Sequence, residues 1–163
     1  MRYAQWVDMV ERYGERELKL LTDRDNTGEI NTRVLTRALD DATAFVDGYV
    51  GKLYALPLLG CAKPATTPGA PPVRVCPPVL TRIVCDVARY YLYIDLPDDH
   101  EVARRHQQVI KELKSYADGT TQLVCPWGGA PGVALNADPL EDSGAVHSFA
   151  PRQISDDTLR GFA

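Results

Sequence analysis

The sequence predicts a mainly α fold. A small bundle of about four helices covers residues 1–117, and a long extended C-terminal arm covers 118–163, with short β-strands allowed in the arm. Three observations predict it. Apolar residues recur at three- and four-residue spacing in separate blocks as far as Tyr116. One proline-rich stretch, 57–78, interrupts those blocks. Beyond Gly119 no period is sustained.

The elements follow in order. Tyr3, Trp6, Val10 and Tyr13 fall on one face of a short helix that Gly14 ends. Glu15 to Leu21 reads as a second short turn or helix. After the polar loop TDRDNTGE, Asn31 or Thr32 caps a long helix. Its apolar set runs from Val34 and Leu35 through Phe45 and Val46 to Leu53, and it continues to about Leu56, where Pro57 stops it. The stretch PLLGCAKPATTPGAPPVRVCPP holds seven of the twelve prolines, so it reads as an extended surface loop with polyproline II character. It is read as a tolerated insertion rather than a recognition loop. Leu80, Ile83, Val84, Val87, Tyr91 and Leu92 mark the next helix, with Pro78 in its first turn. Asp98 or Asp99 caps the last, Asp98 pairing with Glu101, and Val102, His106, Val109, Ile110 and Leu113 line its inner face.

The arm carries Trp127, Val133, Leu135, Val146, Phe149, Ile154, Leu159 and Phe162 on a backbone broken by Gly, Pro and Asp. It is too apolar for solvated disorder and too irregular for its own core. TQLVC and AVHSF are its candidate strands, and Ser155 opens a final turn. Another chain is the economical shelter, which makes Trp127, Phe149, Arg152, Ile154, Leu159 and Phe162 candidate partner-binding residues.

Composition narrows the function. At 163 residues, 45% hydrophobic and 25% charged, the chain affords a core and is not wholly disordered. It has no apolar run long enough for a membrane span, and its amphipathic start reads as neither a secretory signal nor a transit peptide. The formal charge of −4 argues against a dedicated nucleic-acid binder. Residues 1–117 carry 16 acids and 16 bases, whereas 118–163 carry 6 acids and 2 bases, so the excess lies in the arm. The four cysteines, at 61, 76, 85 and 125, match no zinc spacing and read as reduced thiols of a cytoplasmic protein.

Few groups of residues bear on chemistry. Asp23, Asp25, Thr27 and Glu29 resemble the opening of a calcium loop, with Gly28 at the tight turn. Val34 stands where a bidentate Glu belongs, so a helix-joining turn is the preferred reading. Ala44, Gly48, Gly51 and Ala55 form a small-residue stripe on the long helix, where the cost of helical glycine points to close approach of another helix, in this chain or a neighbouring subunit. His106 falls on an apolar face and reads as a satisfied core residue. Cys85 reads as a buried, inert thiol. There is no nucleophile elbow and no phosphate loop with its lysine, and WGGAPG lacks a following helix, so catalytic residues and cofactors are expected to be none. Residue chemistry alone therefore names no function.

A resemblance does. YAQWVDMVERYGEREL, LTDRDNTGEIN, ALDDATAFVDGYVGKLYALPL, LTRIVCDVARYYL and SDDTLRGF, in a match that runs in order from residue 1 to 162, resemble the family of the thirty-sixth gene product of phage Mu, found in Mu-like prophages. The chain departs from the family in a longer loop between Cys61 and Cys76 and around Trp127 to Ser143. The family is similar in gene context and helical layout to head–tail connector proteins of long-tailed phages. The resemblance thus implies a non-enzymatic virion protein of the neck, assembled in the host cytoplasm. It implies a ring of twelve copies below the portal protein that extends the DNA channel without binding DNA specifically, needs no membrane, and docks the next neck or tail-completion protein. The alternative is a calcium-responsive binding module using loop 23–30.

Overall fold

In the computed structural model the described residues are 2–67 and 69–135. They form five helices and one small hairpin, a mainly α bundle. The first two helices, α1 (Trp6–Tyr13) and α2 (Glu15–Thr22), meet at Gly14, whose φ of 82° suits a residue without a Cβ. The Gln5 amide donates to Asp8 Oδ2 at 2.6 Å, which closes the start of α1. Its buried face centres on Met9, while Trp6 stands exposed. Tyr3 precedes the helix and is buried instead. Its hydroxyl donates to Asp47 at 2.5 Å, and its carbonyl accepts from Thr81 Oγ1 at 2.9 Å. One residue thus ties the N-terminus to two other elements.

Asn31 caps α3 (Thr32–Val50) as its sequence requires, its Oδ1 accepting from the amides of Arg33 and Val34 at 3.2 and 3.3 Å. Leu35, Leu39, Ala42, Val46 and Val50 form its buried stripe. The helix stops at Val50, short of Pro57. The reason is tertiary: residues 53–55 give their backbone groups to a returning strand. Ala55 N donates to Val133 O and Leu135 N to Leu53 O, both at 2.8 Å, and Tyr54 bridges Ala134.

The proline-rich stretch is not a featureless loop. It holds an antiparallel hairpin, β1 (Cys61–Lys63) with β2 (Val73–Val75), pairing Cys61 with Val75 and Lys63 with Val73. The prolines lie outside those two short runs, so no strand donor is lost.

Pro78 opens α4 (Pro78–Leu92). Every residue from Ile83 to Ala88 is buried, so α4 is the central helix, wrapped on nearly all sides. It packs along α3 and along α5 (Glu101–Ala117), and α1 and α2 close the remaining side. The N-cap of α5 is His100, not Asp98 or Asp99: His100 Nδ1 accepts from Val102 N at 3.2 Å. That cap starts the helix at Glu101, leaving no room for the expected pair between Asp98 and Glu101.

Residues 118–135, expected to belong to an arm, run back across the domain. Leu123 enters the core, and Cys125 is bonded to Cys61. The reduced-thiol reading is therefore wrong for these two cysteines. They lie 64 residues apart in sequence, and only the folded chain brings them together. TQLVC forms no strand; it delivers Leu123 and Cys125 to the domain. The segment then latches onto the hairpin's approach: Ala62 N donates to Gly128 O, and Gly60 N to Pro131 O, each at 3.1 Å. AVHSF and the turn at Ser155 lie outside the described residues.

Gly60 permits the latch. A Cβ there would fall inside the carbonyl of Ala130, a backbone group that cannot swing aside. Gly60→Ala is expected to destabilise by about 2 kcal/mol, in the range for forced overpacking. Amide exchange at 128–135 is expected to rise by more than that global loss explains, and unchanged exchange there would refute the latch.

Candidate functional site

The loop between α2 and α3 has the geometry of a turn. Asp23 accepts from the amides of Thr27 and Gly28 at 2.8 and 2.6 Å and from Thr27 Oγ1 at 3.0 Å. These donors hold the Asp23 carboxyl below its usual range. Gly28 takes φ of 78°. Thr22 closes the base, accepting from Asn31 N at 3.1 Å and donating to Leu18 O at 2.7 Å. Of the other candidate ligands Thr27 reaches Asp23 as a hydrogen-bond donor, and among the described residues no group of three or more His, Cys, Asp or Glu side chains is placed to hold a metal ion. Calcium up to 1 mM is expected to give no binding heat in a titration. Asp23→Ala should lower the melting temperature equally with and without the ion. A calcium-dependent difference would restore the metal reading.

The small-residue stripe dissolves on folding. Ala44 and Gly48 stay on the helix and face outward, and a Cβ at Gly48 would meet nothing within 4 Å. Gly51 is the C-cap of α3, and Ala55 lies beyond the helix in the paired segment. The four do not share one face because α3 ends before two of them. The intramolecular helix expected against them is absent among the described residues.

Trp127 has a defined setting. It is 40% exposed and carries Lys63 Nζ 5.6 Å from its ring centroid. It forms one wall of a groove of about 590 Å³ between the start of α1 and the hairpin. Arg12, Lys63 and Arg74 reach this groove, and none of the three makes an ion pair among the described residues. Sequence reasoning missed these bases. For Lys63 and Arg74 the only signal was the pair of short runs, CAK and VRV, flanking a Pro-Gly turn, each carrying a base. Phe149, Arg152, Ile154, Leu159 and Phe162 lie outside the described residues.

His106 is half-buried in an aromatic cluster. Its ring stacks on Tyr90 at 3.9 Å with 3° between planes, and Phe45 and Tyr91 lie near. Among the described residues its buried Nε2 has no hydrogen-bond partner, so it is not the satisfied core histidine expected from sequence. Burial lowers its pKa below the ordinary 6.5. The folded state therefore holds the neutral ring, and the unfolded chain takes up the proton first as pH falls. Its contribution to stability is present above about pH 6.5 and is lost as pH drops through the folded value. Urea midpoints measured between pH 7.5 and 5 should fall for the wild type and fall less for His106→Phe. Parallel curves would refute the assignment.

The two remaining thiols are quiet. Burial pushes Cys85 up to about 12 and also raises Cys76, which sits 3.3 Å from Thr81 Oγ1.

Residues 3–134 match the family described as Bacteriophage Mu, Gp36. The chain belongs to that family. Within it, "Gene product J" of Escherichia phage Mu is 30% identical over 122 residues, 74% of this chain and 75% of the relative. The "Mu-like prophage FluMu protein gp36" of Haemophilus influenzae is 24% identical over 161 residues, 98% of this chain and 97% of the relative. The family match covers the five helices, the hairpin and nearly the whole latch. Membership makes this a phage protein, and its relatives are named as phage gene products.

Proposed function

We propose that the protein is a structural component of a phage virion: a head–tail connector that forms a ring, of twelve copies, below the portal protein. In this reading the ring sits in the neck, extends the DNA channel, and docks the next neck or tail-completion protein after assembly in the host cytoplasm. The observation that carries the proposal is kinship with phage Mu and Mu-like prophage proteins along nearly the whole chain.

Physical features support it. The latched segment holds Val124, Val133 and Leu135 at 69%, 73% and 55% exposure, three aliphatic side chains that a neighbouring subunit would cover. Helices α3 and α4 supply a rigid body on which such contacts repeat identically from copy to copy. The acidic excess of residues 118–163 suits a channel part that must not hold DNA, since it offers phosphates no counterion release.

Native mass measurement tests the proposal, with the protein alone and mixed with its phage's portal. Co-assembly in equal copy number, with antibody labelling at the neck of particles, is the expected result. No portal complex together with no neck labelling would overturn it.

A further inference from the structure

The basic groove beside Trp127 has an occupant within this sequence. We infer that it binds the acidic segment 138–149 of a second copy of the chain, so that each subunit holds the next by its C-terminal end. The groove offers three cations without carboxylate partners among the described residues, Arg12, Lys63 and Arg74. Exposed Val7 lies beside them, over a floor to which Leu59 and Val75 contribute. Its one carboxylate, Asp8, accepts the amide of Gln5 and keeps its charge, which three bases outnumber.

Segment 138–149, DPLEDSGAVHSF, is complementary in both respects. It carries Asp138, Glu141 and Asp142 with no Lys or Arg among them, and Leu140, Val146 and Phe149 as apolar groups. Three acids thus face three bases, and apolar side chains on the same short segment meet the floor. Unpaired charges in a shared groove gain more from such a match than solvated pairs on an open face do.

The path of the chain assigns the segment to a neighbour. From Trp127 the backbone pairs first with Ala62, then with Gly60, then with Ala55, and last with Leu53. Each step leads away from Lys63 and toward the end of α3. Only three residues join Leu135 to Asp138, about 10 Å at full stretch, which leaves little chain to bring the segment's acids back to their own groove. A tail-to-groove contact between copies is heterologous, so it propagates from subunit to subunit and closes when the rotation permits. This deepens the ring proposed above, but its test needs neither portal nor particle.

Sedimentation of the full-length protein at rising concentration is expected to show reversible self-association. Lys63→Glu with Arg74→Glu, in the groove, should weaken it at least tenfold, and so should Glu141→Lys with Asp142→Lys, in the tail. Combining all four in one chain should restore it. Mixing the groove variant with the tail variant should give one-to-one co-assembly that neither shows alone, an outcome no intramolecular contact produces. Circular dichroism checks that the variants fold. Should one fail, the wild type itself decides, since its association should weaken tenfold or more between 50 and 500 mM salt. A wild type monomeric at all concentrations, salt-indifferent association, or variants that associate like the wild type would overturn the inference. So would mixtures that stay monomeric, including the case in which the tail fills its own groove. Self-association that obeys these rules in a protein absent from the neck would defeat the connector proposal alone. A neck protein whose association ignores the charge reversals would defeat only the present inference.

Discussion

Breaking the Cys61–Cys125 bond is expected to cost about 4 kcal/mol of folding stability, since the link closes a loop of 64 residues and so removes much freedom from the unfolded chain. For a chain of this size that corresponds to a melting temperature lower by roughly 10 °C. Cys125→Ser should show the loss without reductant. The wild type should show the same loss when reductant is added, and reductant should not harm the variant further. Equal urea midpoints for the two proteins under oxidising conditions would contradict the link. The bond also holds the segment that supplies Trp127 and the paired strand 133–135. Its loss should therefore raise amide exchange at 126–135 and, with it, weaken association between copies.

Asp86→Ala is expected to cost about 3 kcal/mol. The Asp86 side chain is 1% exposed and accepts from the Tyr13 hydroxyl at 2.7 Å, with Arg105 at 2.9 Å and Arg82 at 3.5 Å. Burial, and then this bond, raise the Tyr13 hydroxyl far above its ordinary pKa, so it remains a donor at any working pH. Truncating Asp86 leaves that partly buried donor without its acceptor and two guanidiniums without their shared anion. Both arginines are partly open to water, and Arg82 keeps a bidentate pair with Glu112 at 2.7 and 2.8 Å, so the figure sits at the low end for a broken buried pair. Urea denaturation measures it, and a loss below about 0.5 kcal/mol would mean that water replaces the carboxylate. Tyr13→Phe in the Asp86→Ala background should recover part of the loss, because it removes the stranded hydroxyl.

The helices were legible because their signals are local. The apolar stripe of α3, its Asn31 cap, the proline opening α4 and the glycine between α1 and α2 all act within four residues of where they stand. The turn at Asp23 was legible for the same reason, since each donor it binds lies within five residues. The last helix was found but given the wrong cap: Asp98, Asp99 and His100 all present side-chain acceptors, and the fold selects the third. The small-residue stripe failed because its reading assumed that α3 runs on to Pro57.

The candidate interaction surface was legible only in part. Trp127 was picked out as an aromatic without a helix to bury it, but the bases beside it come from the hairpin and α1, 53 to 115 residues away in sequence. No window of sequence brings them together.

Local pattern, then, was enough for the order of the helices and most of their buried positions, though it counted about four helices where there are five, and, through family motifs spread from end to end, for kinship with phage proteins. Tertiary structure alone decided where α3 ends, which cysteines join, and that residues 123–135 belong to the domain. The physical reason is one of range. A cap or an apolar stripe is satisfied by near neighbours in the chain, whereas the backbone of residues 51–62 had two competing outlets, further helix or a returning strand. Only the folded body, with Leu123 in its core and Cys61 beside Cys125, made the second one win.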